Sequence, residues 1–153
     1  MSQNPITRVV GSTPAPLIGG RDSRRRSGIY EYDFAKQGGA IGALTLSGPS
    51  LPEGAVIVDS YIDVRTVPTS GGSATISVGI VSAIDLNSVD AISGAPWSST
   101  GQVDPDNGPS AGAESGYIRI TSSDFRVVRI TVAVADLTAG KFFVVLAYDI
   151  VTE

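Results

Sequence analysis

The sequence predicts an all-β protein, a β-sandwich or jelly-roll-like domain of about seven or eight strands behind an extended N-terminal arm. Three observations lead there. Apolar residues recur with a period of two through most of residues 29–153; clusters of Gly, Pro and Ser interrupt that pattern at short intervals; and residues 1–28 carry neither the strand nor the helix period. The chain has 153 residues, and one of this size buries roughly 70% of its unfolded surface, enough for a single core without staples. The organisation expected is therefore a flexible arm over 1–28 and one domain over 29–153.

The elements follow in order. In IYEYDFA, Tyr30, Tyr32 and Phe34 share one face while Glu31 and Asp33 lie on the other. A Gly38-Gly39 turn leads into AIGALTL, and SGPSLPEG breaks the chain with two prolines. AVIVDSYIDVRTV then alternates, with Val56, Val58, Ile62 and Val64 on one side and Asp59, Tyr61, Asp63 and Arg65 on a wet side. After a PTSGG turn, SATISVGIV sets Ala74, Ile76, Val78 and Ile80 in one row. AIDLNSVDAI predicts one or two turns of helix, capped by Asp85, because Leu86, Val89 and Ile92 recur every three residues. Residues 93–116 are a long Gly/Pro/Ser loop holding Trp97, the sole tryptophan. YIRIT and FRVVRITVAVA resume the strand pattern with Val128, Ile130, Val132 and Val134 on one side, and ADLTAGK turns the chain into FFVVLAYDIV.

That last strand is apolar on both faces. Phe142, Val144, Leu146, Tyr148 and Ile150 form one; Phe143, Val145, Ala147 and Val151 form the other. Such a strand either runs centrally under a covering loop or lies at a subunit interface. Phe142 and Phe143 are its interface candidates. Trp97 has two readings as well: a plug for one end of the sandwich, or an anchor for a partner.

Catalytic equipment is sparse. The chain has no His and no Cys, which excludes Ser-His-Asp and Cys-His nucleophiles, thiolate metal sites and disulfides. Asp59 and Asp63 share a strand face, but four residues separate them by about 13 Å, too far for a glycosidase pair. AGK at 139–141 lacks the remainder of a phosphate-binding loop, since Ala135 stands where glycine is needed and Phe142 where Ser or Thr is. DPDNG at 104–108 places Asp104, Asp106 and Asn107 together, yet Gly108 interrupts the calcium-loop pattern and an Asn-Gly turn is the expectation. No catalytic residue, cofactor or metal site is expected. Nor is a membrane segment or a signal peptide, since no apolar run nears 18 residues and MSQNPITR opens without a hydrophobic core.

The charge is divided. Residues 1–28 hold Arg8, Arg21, Arg24, Arg25 and Arg26 against Asp22, while residues 29–153 hold six basic side chains against fourteen acidic ones. Fully extended, the arm could reach about 90 Å. A nucleic-acid arm would carry more charge and interleaved aromatics, and an acidic body repels phosphate. The five arginines fit a protein partner better, forming bidentate pairs with carboxylates of a complementary acidic protein surface or of a sister subunit; folding back on the chain's own domain is a further option.

YEYDFAKQGGAIGALTLSG, LPEGAVIVDSYIDVRT, SATISVGI and RITVAVADLTAGKFFVVLAYDIV resemble small virion proteins of tailed bacteriophages, in particular capsid decoration, or cement, proteins. The resemblance spans about residues 29–151, and LPEGAVIVDSYIDV and LTAGKFFVVLAY carry most of it. It implies a non-enzymatic β-sandwich, often a homotrimer, made in the host cytoplasm. Such a protein sits on the outer capsid surface where major capsid protein subunits meet, and stabilises the head. The rival expectation is a receptor- or carbohydrate-binding virion module, a head fibre or tail appendage domain, working through Trp97 and the 93–116 loop.

Overall fold

The computed structural model describes residues 25–109, 117–121 and 126–150. They form nine strands and one helical turn: β1 (Arg26–Asp33), α1 (Phe34–Gln37), β2 (Gly42–Thr45), β3 (Ala55–Ser70), β4 (Thr75–Gly79), β5 (Asn87–Ala91), β6 (Gly101–Val103), β7 (Ile118–Arg119), β8 (Arg129–Ala133) and β9 (Leu137–Ile150). Two antiparallel sheets result. The larger runs β1-β9-β3-β6 with β7 also paired to β3, and the smaller runs β2-β8-β4-β5. This is the sandwich the alternation predicts. Among the described residues no helix is long and apolar enough to cross a membrane.

The core lies between the sheets, where period-two sequences bury one side. Tyr30 and Tyr32 of β1, Ile76 and Val78 of β4, Ile130 and Val132 of β8, and Phe142, Val144 and Leu146 of β9 are all fully buried. The sheets meet at one corner. Leu46 N–H still donates to the Val128 carbonyl of the smaller sheet at 3.0 Å, whereas Ser47 and Glu31 exchange backbone bonds of 2.8 and 3.0 Å with the larger one. That bridge occupies part of β1's outer edge, which would otherwise be open to pairing with another chain.

Several expectations change. β1 starts at Arg26, so residues 26–28, assigned to the arm, are already strand. The strand also stops before Phe34. Asp33 accepts from Ala35 N–H at 3.0 Å while its own N–H donates to Gln37 Oε1 at 3.0 Å, a reciprocal cap that starts a helical turn. Residues 87–91 are strand β5, not helix, because Asn87 to Ala91 pair with β4. Leu86 points inward, but Val89 is 60% exposed, so the three-residue spacing marks no common face. AGK lies inside β9 rather than in a turn.

In β3 the predicted faces hold only in part. Ile62 and Val64 face the core, but so do Ala55 and Ile57, whereas Val56 and Val58 do not. Ile57 pairs with Tyr148 and Asp59 with Ala147, so Val58 is an extra residue, and this bulge inverts the alternation. A second shift brackets Arg65, and a third falls between Thr66 and Thr69, where Pro68 has no N–H to give the ladder. Opposite it, Gly140 adopts φ +141°, and a Cβ there would stand 3.1 Å from Pro68 Cα.

Val134 was expected on the buried row of β8. It is instead 69% exposed with φ +73°, and Ala135 N–H donates to the Ala133 carbonyl at 2.9 Å across it. This γ-turn carries the chain from β8 in one sheet to β9 in the other. It holds a β-branched residue in a backbone region that costs about 1–3 kcal/mol. Val134→Gly is therefore expected to raise stability by about 1 kcal/mol, read as a higher urea midpoint with unchanged slope; a lower midpoint would show that the turn is unstrained.

Candidate functional site

The described surface offers one extended apolar area, the outer face of the larger sheet. Along β9 the inward residues alternate with Phe143, Val145 and Ala147, all half-buried, on the outside. β9 is central, between β1 and β3, so these residues have strands on both sides. Register brings Ile29 beside Val145 from β1, and Tyr61 beside Val145 and Asp63 beside Phe143 from β3. Ile29 is 57% exposed although it sits on the side that its neighbours Ser27 and Glu31 make polar. Two adjoining hollows of about 220 and 290 Å³ mark this face, sharing Tyr61 and Val145 as walls.

Charges frame it. At one end Glu31 meets Lys36 at 2.8 Å and Lys141 at 3.3 Å, with Asp33 3.6 Å from Lys141. The hydrogen bond from Lys36, helped by Lys141, holds the Glu31 carboxyl below the usual carboxylate range against the opposing effect of desolvation. Along the β3 side, Arg65 pairs with Asp63 at 2.7 Å and lies 5.4 Å from the centre of the Phe143 ring, a cation–π contact. The extra residue in the ladder places Arg65 over that ring. At the far end Arg25 meets Asp149 at 2.6 Å. Odd-numbered residues of β1 and β9 face outward, so this pair lies on the same face.

The sequence candidates are distributed as follows. Phe142 is wholly buried between Tyr32 and Trp97, with ring centres 5.0 and 4.9 Å away, so it belongs to the core and not to an interface. Phe143, one residue on, is on the outer face. Trp97 is fully buried, which is the plug reading; no surface of it is left for a partner. Arg25 is engaged by its own domain through Asp149, and Arg26 begins β1. Arg8, Arg21 and Arg24 lie outside the described residues. Ile29, Tyr61, Val145 and Ala147 join the candidate face. The signals for them were an isoleucine on the polar side of β1 and a tyrosine between two aspartates.

Around 104–108 the carboxylates serve the backbone. Asp106 accepts from Ser88 N–H at 2.7 Å and from the Ser88 hydroxyl, Asn107 Nδ2 donates to the Ile84 carbonyl at 2.8 Å, and Gly108 turns with φ +73°. Among the described residues no group of three or more acidic side chains is arranged to hold a metal ion.

A chain of the cyanophage Pam1 capsid asymmetric unit superposes with a TM-score of 0.58 at 20% identity, over 83% of this chain and 85% of that one. A chain of the acid-stable capsid of Helicobacter pylori bacteriophage KHP30 gives 0.53 at 18% identity, over 82% and 86%. The fold recurs in two phage capsids. Both matches cover most of each chain, so the likeness is to the whole sandwich and not to one hairpin. No protein-family model matches the sequence, and a search of curated proteins finds no match.

Proposed function

We propose that the protein is a structural component of a phage virion, acting as a capsid decoration protein. It would bind the outer capsid surface where major capsid subunits meet and brace the head, working as a homo-oligomer, with a trimer preferred. The observation that carries this reading is the fold likeness to two capsid chains over more than four-fifths of each. The apolar outer face supports it. A solvated antiparallel sheet normally alternates apolar-in with polar-out, and Ile29, Tyr61, Phe143 and Val145 depart from that where a contact surface would. The reading requires no catalysis: the chain contributes contacts, and many weak contacts repeated over a lattice give avidity. The arm arginines Arg8, Arg21 and Arg24 would pair with carboxylates of the shell or of a neighbouring protomer. A receptor- or carbohydrate-binding module has no comparable support, since Trp97, its intended anchor, is buried.

The test uses shells assembled from the major capsid protein without this one. Added protein is expected to co-sediment to saturation at a fixed number of copies per shell and to raise the temperature at which shells break. Absence of saturable binding, or binding at a few positions only, overturns the assignment.

A further inference from the structure

We infer that the hollowed outer face of the larger sheet is the receiving surface for the N-terminal segment, residues 5–18, of a second copy of this chain. The inference rests on the homo-oligomeric part of the proposed function, and it names which surfaces meet. Three observations combine.

The first is where the described chain begins. Arg25 lies on the outer face, pinned to Asp149 at 2.6 Å, and β1 pairs in register from Arg26 opposite Tyr148. Extending that register backwards carries the chain past the end of the sheet. To lie over its own hollows, centred on Tyr61 and Val145, residues 5–18 would need a reversal between Ile18 and Arg25; to reach a neighbour the chain need only continue. The preceding 24 residues span up to about 80 Å when extended.

The second is chemistry. The hollows are walled by Ile29, Tyr61, Phe143, Val145 and Ala147. Residues 5–18 supply Ile6, Val9, Val10, Leu17 and Ile18 among short polar residues and prolines. Prolines suit an extended segment laid across a sheet face, because they lower the entropy lost on ordering.

The third is charge. Residues 1–24 carry three arginines against one aspartate. The hollows carry Asp59 and Asp63 on their rims, with Arg65 already paired to Asp63. Because most rim carboxylates already hold a cation within the chain, Arg8 of the docked segment adds only modest attraction, and burial of the apolar pairs contributes the larger part.

The chain has no cysteine, which makes the test direct. Val10→Cys or Leu17→Cys would be placed in one copy and Ile29→Cys in another carrying a mass tag. Ile29 is 57% exposed and tolerates the change; Ala147→Cys serves as a second acceptor. After mixing under mild oxidation, the expected result is a disulfide joining tagged to untagged chains, weakened when Ile6→Asp and Val9→Asp are added to the Leu17→Cys donor. A bridge forming only within a doubly substituted chain overturns the exchange, as does a mixture that stays unlinked with both acceptors. Because the purified protein is used alone, a positive cross-link with no binding to shells would sink the decoration role and leave the arm exchange standing. Binding to shells without a cross-link would do the reverse.

Discussion

Phe142→Ala is expected to lower the stability of the fold by about 3–5 kcal/mol, the range for removing a fully buried phenylalanine from a packed core. Its ring is central to the aromatic cluster, with Tyr32 at 5.0 Å on one side and Trp97 at 4.9 Å on the other. Both neighbours depend on it. Tyr32 holds its hydroxyl to the Gly38 carbonyl at 2.7 Å, and burial pushes its pKa up to about 12. Trp97 closes the sandwich against the same ring. Small domains have about 5–15 kcal/mol in total, so such a loss is a large share. The sole tryptophan provides the measurement: its emission should shift to the red at a much lower denaturant concentration in the variant. Phe143→Ala is the control, one residue along the same strand and on the opposite face, and should cost about 1 kcal/mol. Equal losses at 142 and 143 would mean that β9 does not separate a core face from a contact face.

That contrast shows what could be read from the sequence. Where a strand runs without interruption, alternation identifies the buried side: Ala74, Ile76, Val78 and Ile80 are all inside, as are Val128, Ile130 and Val132. Alternation failed where the backbone inserts a residue. Nothing about Val58 marks it as the extra residue of a bulge, because bulges arise from pairing with a partner strand that local sequence does not contain. β5 was misread for a related reason. Its segment has helical spacing, but β4 is available to pair with it and Asp106 clamps Ser88, so tertiary partners override a weak local preference. The two-faced apolar character of β9 was legible, and it leads to the outer face. The contributions of Ile29 and Tyr61 needed register, since only pairing shows that they flank Val145. Trp97 was undecidable from sequence, because plug and anchor demand the same residue in the same kind of loop.

The outer face also has a physical logic that separates it from the core. Its apolar residues are ringed by ion pairs already formed within the chain, Glu31 with Lys36 and Lys141, Asp63 with Arg65, and Asp149 with Arg25. Exposed pairs of this kind add about 0–1 kcal/mol each to stability. Their consequence for docking is larger: the rim is largely neutralised before a partner arrives, so little charge is left to desolvate unpaired.

Asp85→Ala is expected to cost about 2–4 kcal/mol, the second large effect. Asp85 was anticipated as a helix cap; it organises a hairpin loop instead. Its carboxylate accepts from Ile80 N–H at 2.7 Å and from Val81 and Ser82 N–H at 2.9 Å each, closing residues 80–86 between β4 and β5. Hydrogen bonds to a charged acceptor contribute about 1.5–3 kcal/mol each. Ile80 is fully buried, while Val81 and Ser82 are exposed, so water can replace the carboxylate at two of the three donors. The loop cannot relax to compensate, because it folds tightly against Gly79, where a Cβ would lie 2.8 Å from the Ala83 carbonyl carbon. Asn107 holds it from outside through the Ile84 and Leu86 carbonyls. Asp85→Asn keeps an acceptor oxygen without the charge and should recover part of the loss. Urea unfolding of the two variants distinguishes the accounts: alanine and asparagine should fall in that order below the parent. Identical midpoints for all three would show that the hairpin forms without the carboxylate, leaving the β4–β5 pairing and Asn107 to hold it.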